Sequence, residues 1–156
     1  MPKNNPYLND QQRIQHVLRT AYIMRIACLD AGVPYIVPLN FGYTDGKIYF
    51  HAAKTGKKMD CFNANPQVGF QMDNDVAIIP SGIPCKNSVK FQSVIGRGTV
   101  TIVDDPQEKR YGLLSLSRQL GNNSDEMDQA AIDQTAVLRL DIISCTYKQS
   151  PVKGYK

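Results

Sequence analysis

Apolar residues near the start of the chain recur at helical spacing. Ile14, Val17 and Leu18 lie three and four positions apart, which places their side chains on one face of a helix. Asp10 precedes this stripe, and a carboxylate at that position can accept hydrogen bonds from the free N–H groups of a first turn. We therefore predict a helix over residues 11–20 with one buried face.

The chain then changes to apolar runs that are separated by turn signals. Three runs rich in β-favouring residues follow one another: residues 22–29, 34–42 and 47–52. Asp and Gly occur in both intervening turns, at residues 30–32 and 44–46, and this pattern predicts a three-stranded antiparallel meander. Pro38 lies inside the middle strand and has no N–H to donate to a ladder, so it indicates an edge, a bulge or a backbone that faces another group.

Strand and helix patterns alternate over the rest of the chain. Strand patterns occupy residues 67–73, 88–103 and 136–148, with a strand fragment at 76–79. Helix patterns occupy residues 57–64 and 106–120, and a shorter one lies within 122–134. Gly96 and Gly98 interrupt the longest strand, which indicates a bend or a close approach of the backbone. Six strands and a few helices predict a small antiparallel barrel of the α+β, mainly β class, formed as one domain over residues 1–156.

Composition limits the class of protein. The chain has 156 residues, of which 42% are hydrophobic and 21% charged, and this is too short for separate cofactor and substrate domains. The first fifteen residues contain no leader-like apolar segment, and no apolar run approaches the ~20 residues that span a membrane. We therefore expect a soluble, cytoplasmic protein with no membrane partner.

Cysteine spacing argues against a metal or redox motif. Four cysteines occur, at Cys28, Cys61, Cys85 and Cys145. No two of them form a CxxC pair, so we predict neither a metal site nor a dithiol active site. Reduced thiols are expected in a chain that can bury a core without cross-links, and a disulfide framework is the weaker alternative. Cys28 and Cys61 are interpreted as small core residues.

The net charge of +4 is less informative than its distribution. Lys54, Lys57 and Lys58 surround Gly56 at the predicted start of a helix, where free N–H groups and a partial positive charge favour an anion. With the hydroxyl of Thr55 beside them, these residues suit one phosphate monoester, although a solvated loop is the plainer alternative. The GxxxxGK[ST] spacing of a nucleoside triphosphate site is absent. A broad basic face with interleaved aromatics is also absent, so no nucleic-acid partner is expected.

Three segments together resemble the FMN-binding split barrels related to pyridoxamine 5′-phosphate oxidase and, within them, the nitroimidazole-resistance group. The segments read PYIVPLNFGY at 34–43, IYFHAA at 48–53 followed by GKK at 56–58, and FQSVIGRG at 91–98. Their order and spacing fit that family over roughly residues 10–148. The resemblance implies a six-stranded Greek-key split β-barrel that forms a homodimer with FMN at the subunit interface.

The resemblance also implies which residues contact the flavin. They lie in four stretches: Val37, Pro38, Leu39 and Asn40; His51 and Ala52; Thr55, Lys57 and Lys58; and Gln92 and Ser93. The first stretch would lie along the isoalloxazine ring and the second on the next strand. The third stretch would bind the phosphate. Family members often have Arg-Lys where this chain has two lysines, and replacing Arg by Lys removes a bidentate hydrogen-bond donor but keeps the positive charge. The fourth would approach the cofactor from the partner subunit.

The function implied by the resemblance is that of a flavin-dependent reductase. Such a protein passes electrons from a reduced donor to a small acceptor, for example a nitroaromatic compound, and His51 would donate a proton or orient the acceptor. A partly buried structural His51 is the alternative. Pyridoxamine-phosphate oxidases proper carry a C-terminal segment with Trp and Arg, whereas this chain has no Trp and ends in SCTYKQSPVKGYK, which argues against the vitamin reaction. Two further alternatives are a non-catalytic flavin-binding or redox-sensing module, and a relative that binds F420 or haem.

Overall fold

Four helices occur in the computed structural model, which describes residues 7–151. They are α1 (Gln11–Thr20), α2 (Lys57–Ala64), α3 (Pro106–Gln119) and α4 (Gln129–Gln134), with a 3₁₀ turn at Pro84–Lys86. Asp10 accepts a hydrogen bond from the backbone N–H of Arg13 at 3.1 Å, and Asp105 caps α3 in the same way, so these helices begin where the sequence predicts. The last five residues of the basic tail lie outside the described range.

Seven strands, rather than the predicted six, form one antiparallel sheet over residues 7–151. They are β1 (Ile23–Asp30), β2 (Val33–Asn40), β3 (Gly42–Thr44), β4 (Lys47–Ala53), β5 (Gln67–Ile79), β6 (Ser88–Val103) and β7 (Thr135–Ser150). Their spatial order is β2-β1-β5-β6-β7-β4-β3. The extra strand arises at Phe41, where the run predicted as one strand leaves β1, so that Gly42 pairs with Tyr49 of β4 instead.

The predicted three-stranded meander is wrong at its third strand. β1 and β2 do form a hairpin, and the turn at Asp45 and Gly46 exists, with φ angles of 48° and 77°. That turn joins β4 only to the three residues of β3, while the other edge of β4 pairs with β7. The ladder between β4 and β7 places Phe50 opposite Leu138 in the core. These two residues are far apart in sequence, so local turn signals cannot predict their pairing.

The sheet closes into a split barrel. Strands β5, β6 and β7 follow one another as antiparallel neighbours and β4 returns beside β7, which is a Greek-key arrangement. Cα atoms of β2 and β4 approach within 8 Å, but among the described residues no ladder joins these two strands. The barrel is therefore open along the line between β2 and β4, and Pro38 lies on the edge strand that borders it.

The interior of the barrel is filled by its own side chains. Phe50, Phe70, Met72, Leu138 and Tyr147 are each at most 2% exposed, and α1 and α2 contribute apolar residues to the same core. Full burial of one such side chain stabilises the fold by about 1.5–3 kcal/mol. A ligand the size of a flavin therefore has no space inside the barrel and has to bind outside it.

Helix α3 packs on the outer side of the barrel, over β4 and β7. Tyr49, Val103 and Val137 form a second small core with Leu113 of α3. The helix comes so close that a Cβ added to Gly112 would lie 2.6 Å from the Tyr49 ring. Because α3 packs on β4 in this way, His51 near the end of β4 lies next to α3 and α4.

The glycines that interrupt β6 have the predicted role. A Cβ on Gly96 would lie 2.3 Å from the Phe70 ring, and the ladder between β6 and β7 shifts its register between Arg97 and Gly98. The strand therefore bends and lets Phe70 fill the barrel beneath it.

Candidate functional site

The two strands predicted to contact a flavin, β2 and β4, face each other across the split. Within residues 7–151, β2 pairs only with β1, so one of its backbone edges has no ladder partner. Alternate N–H and C=O groups of an edge strand point away from its neighbour and can bond to another molecule. The split thus provides a line of backbone donors and acceptors beside β4.

The predicted ring-contact residues of β2 divide between the two faces of the strand. Leu39 is buried and Val37 half-buried, and both pack against the barrel core. Pro38 and Asn40 are exposed on the outer face, where the Asn40 amide donates a hydrogen bond to the Tyr22 carbonyl at 3.3 Å. The hairpin closes with Asp30 opposite Val33, so alternation directs the N–H and C=O groups of Val37 and Leu39 to β1. A ligand along the free edge of β2 would therefore meet the backbone and the side chains of Pro38 and Asn40, with Pro38 offering only its carbonyl.

The start of α2 has the geometry of an anion site. Gly56 has a φ of 116°, a region that favours glycine, and its carbonyl accepts hydrogen bonds from the N–H groups of Met59 at 2.8 Å and Asp60 at 3.2 Å. Among the described residues, no side chain caps this helix. Its first N–H groups, with the exposed Thr55 beside them, are thus available to a bound anion.

The two lysines of this helix start have different surroundings. The ammonium group of Lys57 forms an ion pair with Asp30 at 2.5 Å and lies 5.4 Å from the centroid of the Tyr35 ring. The hydrogen bond to Asp30 raises the pKa of Lys57. Lys58 is half-buried and enters no ion pair within residues 7–151. Lys58 is therefore the cation whose charge is available to an anion at the helix start.

Strand alternation sends His51 and Ala52 to opposite sides of β4. Ala52 is 5% exposed and belongs to the barrel core. His51 is exposed on the outer face, opposite Val137 of β7, and lines a pocket of about 420 Å³ between β4, α3 and α4. The alternative of a partly buried structural histidine does not fit this exposure.

Gln92 and Ser93 lie on β6, which β1 and β5 separate from β2. Ser93 is 4% exposed and its hydroxyl accepts a hydrogen bond from the Gln71 amide at 3.0 Å, while Gln92 donates to Asp75 at 3.4 Å. Within one chain these two residues are therefore apart from the β2 and β4 residues. Their approach to a cofactor from a partner subunit stays a prediction.

A polar row that the sequence did not reveal connects β2 with Ser93 on the outer face of the sheet. Arg25 of β1 lies opposite Pro38 and Gln71 in the two ladders. Its guanidinium donates to Gln71 at 3.4 Å and to Asp73 at 3.3 Å, and Gln71 donates onward to Ser93. The alternation of buried and exposed positions in β1 is the signal that could have placed Arg25 on this face.

Large apolar side chains surround this polar row. Four of them are between 39% and 62% exposed on the same strands: Ile23, Leu29, Ile36 and Ile95. An apolar surface that is continuous with polar groups is typical of a binding face rather than of scattered surface residues.

Residues 7–151 include no helix with the length and apolarity to cross a bilayer. The same range contains no group of three or more His, Cys, Asp or Glu side chains placed to hold a metal ion. Cys28 and Cys61 are both buried, as predicted, and Cys85 is exposed.

Comparison with known proteins agrees with the fold. The sequence profile of the pyridoxamine 5′-phosphate oxidase family matches residues 10–149. A crystal structure from Bacteroides thetaiotaomicron, of a protein assigned to 5-nitroimidazole antibiotic resistance, has 26% identity and a TM-score of 0.79, and the match covers 90% of this chain and 84% of that one. No curated protein matches the sequence significantly.

Two further solved structures share the fold at lower identity. The flavocytochrome Anf3 from Azotobacter vinelandii has 18% identity and a TM-score of 0.78, with 92% of this chain and 68% of that chain covered. An FAD and haem binding protein from Mycobacterium smegmatis has 17% identity and a TM-score of 0.78, with 91% and 72% covered. At these identities the likeness concerns the fold alone.

Proposed function

This chain belongs to the pyridoxamine 5′-phosphate oxidase family, and we propose that it is a flavoprotein that binds FMN along β2 with its phosphate at the start of α2. The observation that supports this most directly is the combination, within residues 7–151, of an unpaired strand edge on β2 with a helix start beside Lys58 that no side chain caps. The first suits the hydrogen-bonding edge of a planar heterocycle, and the second suits a phosphate monoester.

The residues present fit such a cofactor in chemistry as well as position. The outward backbone groups of Ile36 and Asn40 and the carbonyl of Pro38 would bind the ring edge, and the side chains of Pro38 and Asn40 would contact its face or rim. Thr55, Lys58 and the first N–H groups of α2 would bind the phosphate. Lys57 would contribute less charge, because Asp30 already pairs with it.

A homodimer is part of the proposal. The barrel interior is full, so the cofactor binds outside, and the outer sheet face exposes Ile36 next to the row formed by Arg25 and Gln71. A second copy placed on this face would cover the apolar side chains and bring its own Gln92 and Ser93 towards the cofactor. Burial of that surface would stabilise the dimer by the ordinary hydrophobic effect.

The proposed activity is that of a flavin-dependent reductase. A bound flavin supplies the redox chemistry, since it can accept a hydride from a reduced donor and pass electrons to a small acceptor. The protein would bind and orient both molecules, and the imidazole of His51 would hold a proton for the acceptor at its exposed ring nitrogen. The 5-nitroimidazole resistance assignment of the Bacteroides protein supports a nitroaromatic acceptor as one example.

A haem site is the second candidate, because two structural neighbours are described as a flavocytochrome and as an FAD and haem binding protein. Haem iron needs an axial His, Cys, Met or Tyr ligand. His51, which is exposed in a pocket, is a residue of that kind among the predicted flavin contacts.

The absorbance spectrum of the purified protein separates these candidates. We expect the two visible bands of an oxidised flavin, and their bleaching when NADH or NADPH is added without oxygen. A yellow protein that neither donor bleaches would be a non-catalytic flavin module. A Soret band would identify haem, a deazaflavin spectrum would identify F420, and a colourless protein that binds no added FMN would refute the proposal.

A further inference from the structure

The pocket that contains His51 is separate from the strand edge of β2 and has walls of its own. It measures about 420 Å³ and lies between the outer face of β4, helix α3, helix α4 and the segment that joins the two helices. Small-molecule sites usually measure about 300–1,000 Å³, so the space suits a ligand of one or two rings.

Two helices face each other across this pocket with apolar stripes. Leu113, Leu116 and Leu120 recur at three and seven positions along the α3 side, and Ala131 and Ile132 face them from α4. The thioether of Met127 completes the wall from the connecting segment. Apolar side chains on both sides of a pocket favour the binding of an aromatic ring, whose two faces they can contact.

Polar side chains also line the pocket. They are the exposed imidazole of His51 and the side chains of Ser117 and Thr135, and the Thr135 hydroxyl already donates to the Ala131 carbonyl at 2.9 Å. His51 and Ser117 can therefore donate to or accept from a polar substituent on a ring that lies against the apolar walls.

The charges at the rim favour one class of ligand. Among residues 7–151, the lining includes the side chains of Glu126 and Asp128 and no Lys or Arg. The Asp128 carboxylate accepts a hydrogen bond from the N–H of Ala130 at 2.9 Å and so caps α4. Glu126 lines the pocket, is exposed and enters no ion pair within the described residues, so no cation of residues 7–151 neutralises its charge. A cation gains from this charge, and an anion loses.

We propose that this pocket binds a small aromatic molecule that carries a positive charge or none, and that it is the acceptor site. The binding stands on the pocket alone, whereas the role as acceptor site rests on the proposed flavin reductase function. His51 connects the two sites, because it lies in the pocket and also in the stretch predicted to contact the flavin.

With a nitroaromatic ligand, NADH would supply a hydride, which is two electrons and one proton, and would become NAD⁺, while a bound flavin would supply the redox chemistry between the two molecules. The nitro group takes up these two electrons and two protons, one N–O bond breaks, and a nitroso compound and water are formed. The second proton would come from solvent or by way of the His51 side chain, which lines the pocket.

Three probes with one ring and three charges test the binding. We would titrate the protein without flavin with 4-nitrobenzylamine as its ammonium ion, 4-nitrobenzyl alcohol and 4-nitrobenzoate. The readout is the NMR spectrum of ¹³C-labelled methionine methyl groups, with the peaks assigned by single Met→Leu variants. We expect the Met127 methyl to shift while Met24, Met59 and Met72, which are buried in the barrel core, stay fixed. The ammonium probe should bind about tenfold more tightly than the carboxylate probe, as one neighbouring charge allows.

Matched variants connect the binding to the pocket. Ala131→Phe fills the pocket and should weaken binding of the ammonium and alcohol probes at least about tenfold, because the probe ring would lose its buried position. Ala130→Phe changes the neighbouring exposed residue, which lies outside the lining, and should leave both affinities unchanged. Glu126→Gln should remove most of the preference for the ammonium probe, whereas Asp133→Asn on the outside of α4 should keep it.

Several outcomes overturn the proposal. A Met127 methyl that none of the probes shifts means that the pocket binds no such ring. Equal weakening by Ala130→Phe and Ala131→Phe means that the helix, rather than the pocket, was disturbed. Displacement of the probes by FMN means that the pocket is part of the flavin site.

The acceptor role has its own test in the flavin-loaded protein. With NADH in excess, Ala131→Phe should raise the KM for 4-nitrobenzyl alcohol about tenfold and leave flavin affinity unchanged, whereas Ala130→Phe should change neither. An unchanged KM would overturn the acceptor role and leave the binding site standing. Failure to bind flavin would refute the proposed function and leave the NMR result unaffected.

Discussion

Lys57 at the start of α2 is ion-paired with Asp30, which lies at the end of β1 beside the β1–β2 turn. This ion pair connects the start of α2 to the β1–β2 hairpin, and β2 of that hairpin borders the split. The Asp30 carboxylate neutralises the charge of Lys57, whereas no ion pair in the described chain neutralises that of Lys58. The two adjacent lysines should therefore contribute unequally to anion binding.

This inequality gives a direct expectation for flavin affinity. Lys58→Gln should weaken FMN binding about tenfold, on the scale of one charge-assisted hydrogen bond, while Lys57→Gln should weaken it by less. Lys109→Gln, which removes a lysine from helix α3, is the matched control and should have little effect. The measurement is quenching of flavin fluorescence on titration. A larger loss for Lys57 than for Lys58 would contradict the assignment.

The outer sheet face should decide the oligomeric state. Ile36 is 62% exposed, and replacing it with Lys would place a charge in the proposed dimer interface. We expect Ile36→Lys to convert a dimer into a monomer in sedimentation experiments and to lower FMN affinity at the same time. Ile102→Lys, at the α3 end of β6 and 38% exposed, should remain dimeric. A wild-type chain that is monomeric at micromolar concentration would refute the interface.

Much of the fold could be predicted from the sequence because its signals are local. Gly56 and the pair Asn65-Pro66 delimit α2, which spans the predicted residues. The pairing of β4 with β7 could not be predicted, since it joins residues about ninety positions apart and depends on burial of Phe50 against Leu138. The same long-range packing brings α3 and α4 to His51, so the pocket around that residue has no signal in the sequence.

The pH dependence of stability should reflect Glu108. Hydrogen bonds from Arg139 at 2.8 Å and from the Tyr49 hydroxyl at 3.0 Å hold its carboxylate, and the bond from Arg139 is the larger cause of its lowered pKa. A carboxyl whose pKa is lower in the folded state stabilises the fold above its unfolded pKa of about 4.3 and loses this effect as the pH falls through the folded pKa.

Substitution of Glu108 should therefore matter most near neutral pH. Glu108→Gln should lower the free energy of unfolding by about 1 kcal/mol at pH 7, and the difference from wild type should narrow below about pH 4. Urea unfolding of both proteins at pH 7 and below about pH 4 measures this difference in the free energy of unfolding. Glu126→Gln, which removes the other glutamate of the chain, should change the free energy little at either pH. A constant difference across the pH range would show that the carboxylate charge is not the cause.

The thiols should differ in reactivity according to burial. Burial and a hydrogen bond with Cys61 raise the pKa of Cys28 to about 11, and Cys85 is exposed. Because the thiolate is the reactive form, a disulfide reagent at pH 8 should label Cys85 first and Cys28 only after unfolding. Cys85→Ser should remove the fast phase. Rapid labelling of Cys28 in the folded protein would contradict its position in the core.

The most direct test of the account compares two flavins that differ by one phosphate. FMN and riboflavin share the ring and the ribityl chain, and only FMN can use the helix start beside Gly56 and Lys58. We expect the protein without cofactor to quench FMN fluorescence with an affinity at least about tenfold higher than that for riboflavin, as one or two charge-assisted hydrogen bonds allow. Equal affinity for the two flavins would contradict the phosphate site at α2, and no binding of either would contradict the account as a whole.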